Sequence, residues 1–237
     1  MEDSNLRPFV FGIIPARGGS KGVKNKNIRL VKNEPLINYT IEAAKKSQML
    51  DKFIVSTDSE EIREVAIAAG AEVPFIRPSE YASDQASMVS VIDHALKWRE
   101  NSSNLKVDVF VLLQPTTPLR SSKDIDLAIE LILSNQEADS LISCCDATHV
   151  HPVTMYEFDG KYMRWYTKNK KMIRRQEFPP TYVRNGCIYI TRSNYFFNEK
   201  RLVNDTPLGY IMPRWRSVNI DDELDFRIAE YIYKQRK

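Results

Sequence analysis

Short apolar runs alternate with amphipathic segments from residue 9 to residue 145, and this alternation limits the folds open to the chain. Runs rich in Val, Ile, Leu and Phe predict strands at residues 9–14, 52–56, 71–75, 107–113 and 140–145. Between them, apolar residues at helical spacing predict helices over about 35–47, 60–69, 87–99 and 123–134. Such alternation is typical of right-handed βαβ units, so the sequence predicts an α/β domain with a mostly parallel sheet.

The first apolar run breaks at Pro15 into a loop with three glycines. From Arg17 to Arg29, both included, there are five basic residues and no acidic one. Glycine lets bare backbone N–H groups turn toward a ligand, and the combination is typical of a loop that binds a polyphosphate. The order of the residues matches neither the Walker A motif nor Gly-x-Gly-x-x-Gly. A solvated basic turn is the alternative that the composition leaves open.

Polar side chains fall where the predicted parallel strands end. Arg17 follows the first run, Asp58 the second and Arg77 the third. Ligands of such sheets bind beyond the carboxyl ends of the strands, so we expect these three residues in one site. The fourth run ends in Gln114-Pro115-Thr116-Thr117-Pro118-Leu119-Arg120, where two prolines predict a stiff loop at the same edge.

The composition is that of an ordinary globular chain. Of its 237 residues 43% are hydrophobic and 27% charged, and the formal net charge of +3 gives no overall field for nucleic acid. Cys144, Cys145 and Cys187 lack metal-ligand spacing and are typical of buried free thiols in a reducing cytosol. No apolar run approaches the ~18 residues of a membrane span, so we expect a cytoplasmic protein without a membrane partner.

Beyond residue 146 the pattern changes to extended segments. Residues 153–158 and 161–166 flank Asp159-Gly160, which is the strongest short signal of a β-hairpin. This hairpin arm is rich in Tyr, Met and Trp and would expose an apolar face unless something covered it. We expect it to form a dimer contact, and an arm folded back on its own sheet is the open alternative.

The last part of the chain predicts one more strand and a terminal helix. The strand covers residues 182–190 and is interrupted at Asn185-Gly186. The helix begins at Glu223, and its predicted apolar face carries Leu224, Ile228, Tyr231 and Ile232. Asp222, with Asp225 three residues later, is interpreted as the N-cap of this helix.

Several motifs, in order and spacing, resemble one family. They are Ile13-Ile14-Pro15-Ala16-Arg17-Gly18-Gly19-Ser20-Lys21-Gly22 with Lys26-Asn27, then Ile54-Val55-Ser56-Thr57-Asp58, Leu113-Gln114-Pro115-Thr116-Thr117-Pro118-Leu119-Arg120, Asn185-Gly186-Cys187 and Asn219-Ile220-Asp221. Together they resemble the acylneuraminate cytidylyltransferases in their short bacterial form. The resemblance implies a three-layer, Rossmann-like nucleotidyltransferase fold of the GT-A-like kind. It also implies one cytidylyltransferase domain over residues 1–237, with 146–182 as an insertion for dimerisation and sugar binding.

The resemblance further implies a reaction. CTP and a nine-carbon α-keto acid sugar give the CMP-sugar and pyrophosphate in the presence of Mg²⁺, as the anomeric hydroxyl attacks the α-phosphorus. Such a reaction needs positioning and charge neutralisation more than covalent help from the protein. The expected partners are CTP, a nonulosonic acid and a second copy of the chain in a homodimer, and no nucleic acid is expected.

The family's site residues carry over position by position. Those matching triphosphate-binding positions are Arg17, Ser20, Lys21 and Lys26; of these, Arg17, Lys21 and Lys26, together with Asp221, are the expected catalytic residues. Those matching cytidine-contacting positions are Asn27, Arg77 and Ser87. Those matching sugar-site positions are Gln114, Arg175 and Asn185. Lys24 and Arg29 are interpreted as solvated charges.

Two positions depart from the family pattern. Many members have an arginine two residues before the Asn-Gly pair, where this chain has Val183 followed by Arg184. The sugar is therefore open among N-acetylneuraminic, legionaminic and pseudaminic acids, with an eight-carbon acid such as Kdo as a rival. The family's Asp-x-Asp motif reads Asn219-Ile220-Asp221, for which we expect Mg²⁺ centred on Asp221 with Asn219 as a neutral oxygen ligand. The same replacement motivates the alternative of a catalytically silent nucleotide-sugar binding protein.

Overall fold

The computed structural model describes residues 7–19, 22–83, 85–103, 105–167 and 174–235, with the backbone alone for Arg175. Its strands are β1 Val10–Pro15, β2 Leu30–Val31, β3 Glu34–Pro35, β4 Lys52–Ser56, β5 Val109–Leu112, β6 Ser140–Asp146, β7 Tyr156–Phe158, β8 Met163–Trp165, β9 Tyr182–Arg192 and β10 Leu208–Ile211. Its α-helices are α1 Leu36–Lys45, α2 Glu60–Ala68, α3 Met88–Ser103, α4 Ser122–Leu133, α5 Ser193–Glu199 and α6 Glu223–Gln235.

The main sheet runs β10-β6-β9-β5-β1-β4 through the described residues. β1 pairs in parallel with β4 on one side and with β5 on the other, and β10 pairs in parallel with β6. β9 is antiparallel to both of its neighbours. The predicted α/β class with a mostly parallel sheet is confirmed, and the inserted antiparallel β9 is a feature that the helix–strand alternation did not reveal.

Helices cover both faces of this sheet, which explains why its strands are continuous apolar runs. Alternate side chains of β1 point to opposite layers. Val10 and Ile14 belong to the core beneath α1, α2 and α4, and Phe11 and Ile13 belong to the core beneath α3 and α5. All four side chains are completely buried, so β1 lies between the two helix layers of a three-layer structure.

A third, smaller core lies where α6 packs against loops. Phe226, Ala229 and Tyr233 of α6 contact a cluster that includes Val23, Leu36, Leu119 and Ile220. The face predicted from Leu224, Ile228 and Tyr231 is wrong, because Leu224 is 66% and Tyr231 64% exposed. The predicted face and the buried face both consist of residues at helical spacing. Only the surface on which the helix packs distinguishes them. Asp222 does cap α6 as predicted, since its Oδ1 accepts the Asp225 N–H at 3.0 Å.

One predicted strand does not form as expected. The predicted strand at residues 71–75 is replaced by isolated bridges at Glu72 and Ile76, and Pro74 between them has no N–H to donate.

The predicted hairpin does form, with β7 antiparallel to β8 and Gly160 at φ +97° in the turn. In the described structure it is a separate two-stranded sheet and is not hydrogen-bonded into the main sheet.

None of the helices in the described part of the chain combines the length and apolar composition needed to cross a bilayer.

A buried arginine joins several elements in the interior of the protein. Arg120, only 4% exposed, donates hydrogen bonds to the Cys187 carbonyl at 3.1 Å, to Thr40 Oγ1 at 2.9 Å and to Thr117 Oγ1 at 2.7 Å. It also donates to the Gln114 carbonyl. One guanidinium therefore joins α1, the loop after β5 and β9.

Replacing Arg120 with methionine tests this junction. Arg120→Met keeps an unbranched side chain but leaves several buried acceptors unpaired, so we expect a loss of about 3 kcal/mol in the free energy of unfolding, measured by urea denaturation. The control is Arg201→Met, whose guanidinium pairs with Asp205 at the surface, and for which we expect no measurable change in the free energy of unfolding. Equal stability of the two variants would contradict the assignment.

Candidate active site

A cleft of about 400 Å³ opens at the carboxyl ends of β1 and β5. Its walls come from segments far apart in the sequence: the glycine-containing basic loop after β1, the proline-containing loop after β5, residues 77–91, and Asp221 before α6. Of the predicted site residues, those that line it are Arg17, Lys26, Asn27, Arg77, Gln114 and Asp221. The edge of the sheet predicted to carry the site is therefore where the cleft lies.

Hydrogen bonds fix the basic loop at both ends. The Gly18 N–H donates to Asp58 Oδ1 at 2.9 Å, which ties the loop to the end of β4. The Asn27 side-chain amide donates to the Arg17 carbonyl at 2.9 Å and is 93% buried, since only 7% of it is exposed. Asn27 therefore closes the loop on itself and orients Arg17, in addition to lining the cleft.

The middle of the loop lies against the segment before α6. A Cβ on Gly22 would stand 2.0 Å from the Asp221 carbonyl oxygen, closer than any side chain permits. Glycine is required there by the close approach of two backbones. The loop and the Asp221 segment consequently form one wall of the cleft.

Lys26 makes the second link between these segments. Its ammonium donates to the Ile220 carbonyl at 2.5 Å and lies 4.0 Å from Asp221 Oδ1. Burial lowers the pKa of Lys26 below its usual value, the Arg17 charge lowers it further, and the carboxylates of Asp221 and Asp225 oppose the shift. A bound polyanion would favour the charged ammonium in the same way as these carboxylates do.

Arg77 stands at the other end of the cleft, beside Asp58. Its side chain is 3% exposed, and its Nη2 lies 3.4 Å from Asp58 Oδ1. Burial lowers the pKa of Arg77 and Asp58 raises it, while Nε is buried without a hydrogen-bond partner. Asp58 thus pairs with a buried guanidinium and with the Gly18 N–H, so it links Arg77 to the basic loop.

Gln114 lies between the basic loop and β9. Gly186 sits at φ +74°, and a Cβ there would stand 3.0 Å from Gln114 Oε1 and 3.9 Å from Asn219 Oδ1. The loop after β5 is also tied to the Asp221 segment, because the Ile220 N–H donates to the Thr116 carbonyl at 2.8 Å. The left-handed glycine keeps the space beside Gln114 open.

Asn185 occupies a different position from the one predicted. It is 5% exposed, and its Oδ1 accepts hydrogen bonds from Ser143 Oγ at 2.6 Å and from the Cys187 N–H at 3.1 Å. Its Nδ2 donates to Ser217 Oγ at 2.9 Å. Both ends of the amide are engaged inside the protein, so Asn185 orients Gly186 and the segment after Ser217 instead of presenting polar atoms to a sugar.

Asn219 and Asp221 lie side by side, as their alternation predicted. Asn219 Nδ2 donates to Asp221 Oδ2 at 2.7 Å, and Asn219 Oδ1 is buried without a donor. Turning the amide over would bring Oδ1 beside the carboxylate. The Asp221 side chain is 75% exposed at the cleft. With the amide turned over, the Asp221 carboxylate and the Asn219 amide oxygen fit Mg²⁺, which takes few protein oxygens and completes its shell from phosphates and water.

The remaining predicted residues fall outside this set. Ser20 and Lys21 lie outside the described residues, as does the side chain of Arg175. Ser87 is exposed at the start of α3, where its Oγ accepts the Ser90 N–H at 3.1 Å. Its neighbours Ala86 and Met88, rather than Ser87, line the cleft.

The sequence analysis missed the contacts of Arg29 and three of the residues that line the cleft. Arg29 is no solvated charge, because its guanidinium pairs with Glu223 and lies 4.0 Å from the ring centre of Phe226. Tyr81, Met88 and Val91 form the apolar side of the cleft near Arg77. The apolar positions at the start of α3 were a usable signal for Met88 and Val91. Nothing in the local sequence distinguishes Arg29 from the exposed Lys24.

Comparison with known proteins agrees with this geometry. A family described as Cytidylyltransferase matches residues 11–219. The post-translational flagellin modification protein B of Campylobacter coli is 37% identical over 224 residues, 94% of either chain. The N-acylneuraminate cytidylyltransferase of Escherichia coli is 35% identical, covering 98% of this chain but 54% of that protein. The CMP-N,N'-diacetyllegionaminic acid synthase of Legionella pneumophila is 29% identical over 94% of its length.

Solved structures show the same fold. A CMP:2-keto-3-deoxy-manno-octonic acid synthetase complexed with CTP superposes with a TM-score of 0.73 at 14% identity, over 97% of this chain and all of that one. A 4-diphosphocytidyl-2C-methyl-D-erythritol synthase from Anaerococcus prevotii gives a TM-score of 0.64 at 12% identity, over 96% and 97%. The nucleotidyltransferase fold implied by the motifs is confirmed, and the chain belongs to the cytidylyltransferase family.

Proposed function

We propose that this protein is a cytidylyltransferase that transfers CMP from CTP to the anomeric hydroxyl of a nonulosonic acid and releases pyrophosphate. The observation that carries the proposal is the cleft in which Arg17 and Lys26 face Asp221 at the carboxyl ends of β1 and β5. Cations for phosphate oxygens and a carboxylate for a divalent metal are what nucleotidyl transfer requires. The names of the relatives, N-acylneuraminate, pseudaminic acid and diacetyllegionaminic acid enzymes, support the class of acceptor.

The reaction exchanges the phosphoanhydride bond between the α- and β-phosphates of CTP for a phosphoester bond to the sugar. The anomeric oxygen loses its proton and forms a bond to the α-phosphorus, while the bond from that phosphorus to the β-phosphate bridging oxygen breaks. Negative charge accumulates on the departing pyrophosphate. We assign Arg17 and Lys26, with Ser20 and Lys21 of the same loop, to the triphosphate, where a guanidinium fork and an ammonium point charge stabilise the leaving group.

The nucleoside and the sugar occupy opposite ends of the cleft in this proposal. Asn27 and Arg77 bind at the cytidine end, and Ser87 contributes through the start of α3. Gln114, beside the open space at Gly186, stands between nucleotide and sugar. Arg175 supplies the cation for the sugar carboxylate, and Asn185 acts indirectly by orienting Gly186.

Mg²⁺ is the proposed cofactor, held by Asp221 and by the carbonyl oxygen of Asn219. When bound, it supplies charge neutralisation at the phosphates and can lower the pKa of the attacking hydroxyl. This protein's own contribution is to hold the two side chains next to each other in the segment before α6 and to place Lys26 beside Asp221. Three buried free cysteines are in keeping with work in the reducing cytoplasm.

One observation favours a second candidate. The Asn219 amide donates a hydrogen bond to Asp221, whereas a second carboxylate at position 219 would repel it. This hydrogen bond stabilises the Asp221 carboxylate without a metal ion. A nucleotide-sugar binding protein without turnover would need no more than that.

A substrate panel separates these candidates. With CTP, Mg²⁺ and N-acetylneuraminic, legionaminic or pseudaminic acid, we expect pyrophosphate release with at least one nine-carbon acid and none with Kdo. The measurement is coupled phosphate detection, with calorimetry of CTP binding alongside. CTP binding without turnover on any acid would establish the silent binder, and turnover on Kdo alone would overturn the proposed acceptor class.

Removing the Lys26 charge tests the phosphate assignment. Lys26→Met keeps the aliphatic stem, and we expect kcat/KM for CTP to fall about 100-fold because the developing charge on pyrophosphate loses a donor. The matched control is Lys24→Met, an exposed lysine of the same loop, which should retain nearly full activity. Equal kcat/KM for the two variants, with both folded by circular dichroism, would refute the role of Lys26.

We also propose a homodimer formed through the hairpin arm of β7 and β8. Phe158 and Met163 face each other across the hairpin and are 65% and 66% exposed, an apolar surface that a partner would cover. We expect a dimer by sedimentation velocity and a monomer for the Phe158→Ser/Met163→Ser variant. Leu224→Ser, an equally exposed leucine on α6, is the control that should remain dimeric. A monomeric wild type at micromolar concentration rules the proposal out.

A further inference from the structure

A buried carboxylate lies outside the cleft and is not used by the proposed reaction. Asp124, in the first turn of α4, is 2% exposed and accepts hydrogen bonds from five donor atoms. The Ser121 N–H and hydroxyl donate at 2.7 and 2.6 Å, and the Tyr210 hydroxyl donates at 3.0 Å. The Arg216 guanidinium binds both carboxylate oxygens, with Nη2 at 2.9 Å from Oδ1. Such a bidentate pair fixes orientation as well as distance.

The carboxylate is ionised in this setting. Burial acts to raise the pKa of Asp124, but the hydrogen bonds from Ser121 and Arg216 outweigh it and hold the pKa below its usual value. Burial and the Asp124 charge raise the pKa of Tyr210, so its hydroxyl stays protonated and keeps donating. The arrangement is a fully paired buried ion pair, and removing one partner would leave the other charge unpaired.

The ion pair fixes the start of the segment that carries Asn219 and Asp221. Directly after Arg216, Ser217 Oγ accepts the Asn185 Nδ2 at 2.9 Å. At the far end, the Asp221 N–H donates to Asp225 Oδ2 at 3.0 Å. The segment is therefore held on both sides of Asn219 and Asp221. The Asp124–Arg216 salt bridge is one of the contacts that hold it.

We propose that Asp124 and Arg216 are positioning residues for metal binding, an inference that rests on the proposed function of Asn219 and Asp221. They hold the backbone of residues 217–221 so that the Asn219 and Asp221 oxygens converge without having to be ordered at each binding event. Groups that orient metal ligands in this way affect affinity for the metal more than affinity for other ligands.

The test compares two carboxylates of the same helix. In Asp124→Asn the fork loses its charged acceptor, and Arg216→Lys serves as a second variant that keeps the charge but loses the bidentate geometry. The control is Asp126→Asn, because Asp126 accepts the Gln48 and Met49 N–H groups at 3.0 and 3.1 Å but anchors the α1–β4 loop. Mn²⁺ binding to the protein–CTP complex is measured by water proton relaxation without acceptor sugar, and CTP binding by calorimetry in EDTA.

We expect the dissociation constant for Mn²⁺ to rise about 10-fold in Asp124→Asn and in Arg216→Lys, with metal-free CTP binding unchanged and the control like the wild type. Equal Mn²⁺ affinity in the wild type and both variants overturns the positioning role while leaving the metal site intact. Equal weakening in Asp126→Asn also overturns it, since general destabilisation then explains the effect. A wild type that binds no Mn²⁺ removes the metal site, and the positioning role with it.

Discussion

The docking of the basic loop against the segment before α6 is the contact on which the cleft depends. Gly22 approaches the Asp221 carbonyl too closely for any side chain, and Lys26 donates to the Ile220 carbonyl. Beneath them, Val23 and Ile220 share one small core with Phe226 of α6. Because two chain segments almost 200 residues apart in sequence form this wall, the Lys26 ammonium and the Asp221 carboxylate can stand 4.0 Å apart.

Charge in this protein is organised locally. The net charge of +3 is small, yet the cleft gathers Arg17, Lys26 and Arg77 with few compensating acids. Burial lowers the pKa of both Lys26 and Arg77, which is the cost of holding cations out of water before a ligand arrives. A bound polyanion would offset that cost, because a nearby negative charge favours the charged forms of both side chains.

The frame of the cleft is polar and buried. Arg120 joins α1, the loop after β5 and β9 through neutral acceptors, Asn185 joins β6 and β9 to Ser217, and Asp124 holds Arg216. Hydrogen bonds have directions that apolar contacts lack, so they fix loops at an angle as well as at a depth. Loops that carry site residues but lack regular secondary structure gain their rigidity here from such junctions.

The sequence by itself determined the parallel strands of the sheet and the edge at which the cleft opens, because hydrophobic periodicity and proline or glycine breaks are local properties. It also identified Lys26, Gln114 and Asp221 through motifs of contiguous residues. Only the tertiary structure decided that Arg29 clamps α6, that Asn185 turns inward, and which of two equally periodic stripes α6 buries. These outcomes depend on which distant surface each side chain meets, and no spacing along the chain encodes that.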